Sequence, residues 1–191
     1  KKKKELSHAL DDTFTPDDFI SIRDRLILEV FYATGIRLSE LLNLTDDSVD
    51  LFEGRMRVVG KRNKERVIPI GEELCRDIEN YKQLRDASVP FRETFLFLRA
   101  TGESLSRSIL YRIVRDRMSE FSSLQKRSPH VLRHTFATSM LNGGADINAV
   151  KELLGHSSLA ATQVYTHASF DELHNIYNRA HPRAKQKRRQ L

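Results

Sequence analysis

The apolar positions of this chain fall into runs with two different periods. Phe19, Ile22, Leu26, Val30 and Ala33 recur every three or four residues, which puts them on one face of a helix. Thr15 and Pro16 supply an N-cap and a proline at the first helical position, and Gly35 ends the run. Leu38, Leu41, Leu42 and Leu44 predict a second, short helix closed by Thr45-Asp46-Asp47. Between Arg55 and Ile70 the texture changes: Met56, Val58 and Val59 form one short strand and Val67, Ile68 and Ile70 another. Gly60-Lys61-Arg62-Asn63-Lys64 lies between them, so the segment predicts a β-hairpin with a basic tip.

Helical spacing returns from Glu72 to Arg85 through Leu74, Ile78, Tyr81 and Leu84, and again from Ser104 to Phe121. Phe95 to Leu98 is the candidate for a third strand. Pro129 opens a helix that runs through Leu132, Phe136 and Met140 and stops at Asn142-Gly143-Gly144. Asp146 caps a short helix from Ile147 to Leu154, ended by Gly155, and a last helical pair covers Leu159 to Tyr165 and Phe170 to Tyr177. The predicted fold is mainly α with a small three-stranded antiparallel β-sheet, and no internal repeat interrupts it.

Composition narrows the setting. With 191 residues and 39% hydrophobic content the chain can bury one sizeable core. Its net charge of +6 gathers in Lys1 to Lys4, in Arg55 to Arg66 and in Arg183 to Arg189, a distribution that favours a polyanionic partner. Cys75 is the single cysteine, which excludes an intrachain disulfide and a cysteine-built zinc cluster and fits a reducing, cytoplasmic setting. No apolar run approaches the ~18 residues that cross a bilayer, and the N-terminal lysines lack the apolar stretch of a signal peptide.

The densest chemistry is Pro129-His130-Val131-Leu132-Arg133-His134. His130 and Arg133 share a face near a helix N-terminus, where free amides and positive potential suit an anion. Arg133 offers a planar fork for two phosphate oxygens, and His130 can exchange a proton near neutral pH; His134 is assigned to packing. Leu154-Gly155-His156 places a histidine after a helix-ending glycine, and Tyr165 lies in Thr162-Gln163-Val164-Tyr165-Thr166-His167. Thr34-Gly35-Ile36-Arg37 sets an arginine after a glycine break, with Glu40 three residues on and able to orient it, the ordinary alternative being a surface ion pair of little stability. Taken singly, each has an ordinary structural reading: His130 and Arg133 as a packed pair, His156 as a C-cap, Tyr165 as a half-buried core residue, Lys61 as a solvated turn.

Together and in this order, the segments Ala33 to Leu41, Gly60-Lys61 to Ile70, Pro129 to Leu141, Leu154 to Ser157 and Thr162 to His167 resemble the tyrosine recombinases, and especially their Xer branch. The resemblance spans nearly the whole chain. It implies the fold of that family's catalytic domain and a catalytic set of Arg37, Lys61, His130, Arg133, His156 and the nucleophile Tyr165. Arg62 departs from it, standing where the Xer branch often has glycine, and Arg62, Lys64 and Arg66 are expected to contact DNA.

The chemistry it implies is site-specific cleavage and rejoining of double-stranded DNA through a 3′-phosphotyrosyl intermediate, without metal or other cofactor, most simply in chromosome dimer resolution at the nucleoid. Partners would be a homo- or hetero-tetramer with a related recombinase, which commonly passes the segment after about Phe170 to a neighbour, and a DNA translocase activator. The domain limits expected are 1–14 as the end of a basic linker, 15–180 as the catalytic domain and 181–191 as a basic tail, with the family's preceding helical domain outside this chain. The competing readings are a mobile-element integrase with the same chemistry, a type IB topoisomerase, which the His130 block followed by Gly155-His156 disfavours, and a DNA-binding relative that has lost catalysis.

Overall fold

The computed structural model describes residues 19–60, 63–89, 93–121, 127–155 and 167–184. Helix α1 (Phe19–Thr34) forms the centre, and the expected Thr15-Pro16 start lies outside the described residues. The sequence shows one apolar stripe on α1, yet every residue from Leu26 to Thr34 is buried, because α3 (Glu72–Ser88), α4 (Arg107–Phe121) and α5 (Pro129–Asn142) all pack against it. A helix enclosed on every side must be apolar or paired throughout. Its buried polar residues accordingly have partners: Arg23 bonds Asp24 and the Leu98 carbonyl, and Glu29 pairs with Arg25.

After the short α2 (Leu38–Leu42), three antiparallel strands follow in the order β1 (Val49–Asp50), β2 (Arg55–Val59) and β3 (Glu65–Pro69). The register pairs Met56 with Ile68 and Val58 with Arg66. Alternation turns Met56, Val58 and Ile68 into the core and leaves Arg57 and Val59 exposed. At the tip, Gly60 donates its N–H to the Lys64 carbonyl and Asn63 takes a left-handed φ of 58°.

The third strand is therefore Val49–Asp50 and not Phe95–Leu98. The latter segment makes only single bridges, Phe95 to Thr45 and Leu98 to Ser104. Leu96, Phe97 and Leu98 are all buried, but their backbone groups are met by partners other than a strand. Leu96 N–H donates to Leu44 O, the carbonyls of Leu96 and Leu98 accept from Arg85 and Arg23, and Leu98 N–H reaches Tyr81 Oη.

The C-terminal half is built on α5, α6 (Ile147–Leu153) and α7 (His167–Ala180). Pro129 stands in the first turn of α5 and Asp146 caps α6 through the Asn148 amide, as the sequence predicts. Gly143, at the end of α5, is crossed so closely by α7 that a methyl group there would overlap the Ala180 carbonyl. Phe170, Leu173, Tyr177 and Ala180 bury one face of α7 against the same chain. Among the described residues no helix is long and apolar enough to cross a membrane.

Candidate active site

The site begins with the turn that joins α1 to α2. Gly35 has a φ of +60°, and a Cβ on it would lie 2.5 Å from Phe136 Cδ1 and 2.9 Å from Leu154 Cδ2. Only glycine meets both demands without displacement. Ile36 is fully buried beneath the turn, and Arg37 then opens α2, its backbone N–H donating to Glu40 Oε2 at 2.7 Å. That bond reproduces one half of a capping box and brings the Glu40 carboxylate back under the Arg37 side chain.

Around this turn the fold assembles three arginines from three distant segments. Arg37 Nη1 donates to Glu40 Oε1 at 2.8 Å, and Arg66 holds the same carboxylate with two bonds, Nη1 to Oε1 at 2.7 Å and Nη2 to Oε2 at 2.9 Å. Arg133 Nη1 donates to the Gly35 carbonyl at 2.6 Å. The remaining donors converge on the end of α6: Arg66 Nε bonds Leu153 O at 2.8 Å, Arg133 Nη2 bonds Leu154 O at 2.7 Å and Arg37 Nη2 bonds Gly155 O at 3.0 Å. Three consecutive carbonyls at a helix C-terminus, orphaned by the end of the helix, are thus each met by a different guanidinium.

The electrostatics follow from that crowding. Burial pushes the Glu40 carboxyl up, but the hydrogen bonds and charge of Arg66, then those of Arg37, outweigh it and bring it down to about 2. Arg133 moves down to about 10, first because it is desolvated and then because Arg37 and Arg66 repel its charge, with Glu40 opposing. Three guanidinium groups meet one carboxylate here, so among these residues two positive charges are in excess. A half-buried excess of that kind is relieved by an anion, and the planar forks of Arg37 and Arg133 suit phosphate oxygens.

The structure brings Arg37, Glu40 and Arg133 together, and sets His130 in the first turn of α5, exposed and one turn before Arg133. Lys64 is exposed at the hairpin tip. Lys61, Arg62, His156 and Tyr165 lie outside the described residues, although His156 directly follows Gly155, whose carbonyl accepts from Arg37. Three expectations need correction. Arg66 does not face DNA: it is 4% exposed and its guanidinium is spent on Glu40 and Leu153. Glu40 is not part of a surface ion pair, being 2% exposed. His134 is exposed instead of packed.

Residues 2–172 match the model of the phage integrase family. The chain belongs to that family. The tyrosine recombinase XerC of Pelobacter propionicus is 44% identical over 177 residues, covering 93% of this chain and 58% of that protein. XerC of Staphylococcus aureus is 40% identical over 182 residues, covering 95% of this chain and 61% of its own. Among solved structures, the XerA recombinase superposes with a TM-score of 0.70 at 33% identity, covering 91% of this chain and 62% of that one. The XerH site-specific recombinase bound to its difH substrate, at 24% identity and a TM-score of 0.72, shares the fold, with 90% of this chain and 51% of that one covered. The fold is that of tyrosine recombinase catalytic domains, and the chain spans little more than half the length of the curated relatives it matches.

Proposed function

We propose that this chain is the catalytic part of an Xer-type site-specific recombinase, which cleaves and rejoins strands of double-stranded DNA through a 3′-phosphotyrosyl intermediate. The observation that carries the reading is the guanidinium cluster at the end of α6: Arg37 and Arg66 on one buried carboxylate and Arg133 on the carbonyls of Gly35 and Leu154, with His130 one turn from Arg133. A phosphodiester repels nucleophiles through its own negative charge, and that charge grows in the transition state. Arg37 and Arg133 neutralise it by gripping the non-bridging oxygens, and loss of one such preorganised donor costs about 10²- to 10³-fold in rate in comparable oxyanion sites. Their present bonds to the carbonyls of Gly35, Leu154 and Gly155 fix the guanidinium planes before the substrate arrives.

Tyr165 is the nucleophile in this reading. A phenol with an ordinary pKa of about 10 is protonated at neutral pH and needs a base, for which His130 is exposed and placed beside Arg133. Lys61 delivers the proton to the leaving 5′-oxygen, and His156 hydrogen-bonds the phosphate. The phosphotyrosine ester conserves the bond energy, so a second strand's 5′-hydroxyl can displace the tyrosine and restore the phosphodiester. No step calls on a metal ion. Lys64, and Arg62 two residues before it, provide cationic contacts to the DNA backbone. A tetramer with itself or a related recombinase, activation by a DNA translocase and chromosome dimer resolution at the nucleoid complete the proposal; the XerC and XerA relatives support its Xer-type recombinase chemistry.

The test is a nicked suicide duplex incubated in EDTA with the protein in its full-length form. The expected result is a denaturation-resistant protein–DNA adduct that Tyr165→Phe abolishes. DNA binding without any adduct, also when a partner recombinase is supplied, would refute the catalytic reading and leave a DNA-binding relative.

A further inference from the structure

The catalytic proposal makes no use of His181, yet this residue is fully buried and enclosed by three aromatic rings. Tyr177 stacks on it at 5.0 Å with 6° between planes, Tyr32 meets it edge-on at 5.4 Å, and Phe136 lies tilted at 5.5 Å. Its two ring nitrogens have opposite tasks. Nδ1 accepts the backbone N–H of Arg183 at 3.2 Å, and Nε2 faces the Tyr32 carbonyl at 3.3 Å. A carbonyl accepts only, so the ring is neutral with its proton on Nε2.

Tyr32 O belongs to the last turn of α1, where carbonyls have no partner within the helix. Val30 O accepts from Thr34 Oγ1 and Phe31 O from Gly35 N–H, and the bond from His181 gives Tyr32 O, next in line, its partner. That end feeds into the Gly35-Ile36-Arg37 turn. Phe136 connects the two by a second route, with His181 close to its ring and the Gly35 backbone packed against its Cδ1 edge. Gly35 O in turn holds Arg133, and Arg37 follows two residues later.

We infer that His181 is a positioning residue for the anion site: from the C-terminal segment it caps α1 across the core and fixes the turn that presents Arg37 and anchors Arg133. It touches no reacting group; it acts through Tyr32 O and Phe136. The effect on rate rests on the recombinase reading, whereas the capping of α1 does not.

The test compares His181→Phe, which keeps ring volume and loses the donor, with His181→Gln, whose terminal amide can donate to Tyr32 O. Hydrogen exchange is followed in a peptide spanning residues 31–37, with a peptide from α4 as the control, and single-turnover cleavage of the suicide duplex is measured at saturating protein. In His181→Phe, exchange at 31–37 accelerates about tenfold with α4 unchanged, and cleavage slows about tenfold at unaltered DNA affinity, the scale of one lost buried hydrogen bond. His181→Gln recovers both most of the way. Native exchange at 31–37 in His181→Phe, equal acceleration in α4, or a glutamine variant no better than phenylalanine overturns the inference. A native protein that forms no Tyr165-dependent adduct sinks the recombinase reading instead, and the exchange arm still decides the capping.

Discussion

Replacing Glu40 by glutamine is the sharpest perturbation of the guanidinium cluster. The two carboxylate oxygens accept four bonds, from Arg37 N, Arg37 Nη1, Arg66 Nη1 and Arg66 Nη2, at 2.7 to 2.9 Å. Glutamine offers one oxygen and turns an NH2 group toward guanidinium donors on the other side. Arg66, with a side chain 5% exposed, is then a buried cation without a counter-charge. Removing one partner of a buried pair costs about 3–5 kcal/mol. The acid–base route gives a similar size: a shift from 4.5 to about 2 is worth about 3 kcal/mol at 1.36 per unit. The 39% exposure of the Arg37 side chain brings that to roughly 2–3 after solvent screening.

The sign is fixed by the direction. The folded Glu40 sits below its unfolded value, so its contribution is present above pH 4.5 and is lost as pH falls towards 2. Urea denaturation at pH 7 is expected to show Glu40→Gln less stable by about 3 kcal/mol, and between pH 7 and pH 3 the native protein loses about 2 kcal/mol more than the variant. A cost under about 1 kcal/mol at pH 7, or equal acid losses in the two proteins, would show that the carboxylate does not hold the cluster.

Other perturbations test neighbouring parts of the argument. Gly35→Ala forces a left-handed φ on alanine and a methyl 2.5 Å from Phe136 Cδ1; it is expected to cost about 2 kcal/mol or more in thermal denaturation and to slow suicide-duplex cleavage, and an unchanged melting point and rate would refute the close approach. Arg85→Met leaves Asp46 without its bidentate partner and Leu96 O without a donor, at an expected cost of about 2 kcal/mol; at temperatures where the variant is folded, cleavage stays native, since Arg85 bonds Asp46, Asp86 and Leu96 O and no member of the guanidinium cluster, and a selective loss of rate would contradict that. Burial first, then the Arg183 charge, lowers His181 to about 4 against the Tyr32 bond, while burial and then Asp77 raise Glu29 to about 7 against Arg25. Stability from His181 therefore rises with pH between about 4 and 6.5 and that from Glu29 falls between about 4.5 and 7, so the two slopes offset in the native protein. Urea midpoints across this range should fall with pH in His181→Phe and rise in Glu29→Gln; parallel curves for all three proteins would disprove both assignments.

What the sequence discloses about this site follows from how local each contact is. Arg37 and Glu40 are three residues apart and His130 and Arg133 three apart, so helical spacing announces both pairs. Arg66 is legible too, because it shares the parity of Ile68 on β3 and of Ile70 just after it and faces the core with them; charge invites an exposed assignment that strand alternation contradicts. The carbonyls of Leu153, Leu154 and Gly155 carry no side-chain signal, and only the fold reveals that they gather three guanidiniums from α2, β3 and α5. His181 lies 149 residues from the carbonyl it faces, beyond any local pattern. The Phe95–Leu98 segment misleads for the complementary reason: its apolar run is that of a buried strand, but its hydrogen bonds go to Arg23, Tyr81 and Arg85.

These long-range contacts share one design. Each arginine of the site is fixed by backbone carbonyls or by Glu40, so the guanidiniums are held in place while two positive charges stay in excess. A salt bridge to a mobile carboxylate would have to break before phosphate could enter, and its strength would be subtracted from binding. Carbonyls carry only partial charge; they orient the guanidiniums while leaving the electrostatic attraction for the anion. The one full carboxylate, Glu40, is directed mainly at Arg66, the arginine buried deepest, and reaches the Arg37 guanidinium through a single nitrogen. On this geometry Arg37 and Arg133 keep their charge available at the surface of the cluster, and Arg66 serves as the pillar beneath them.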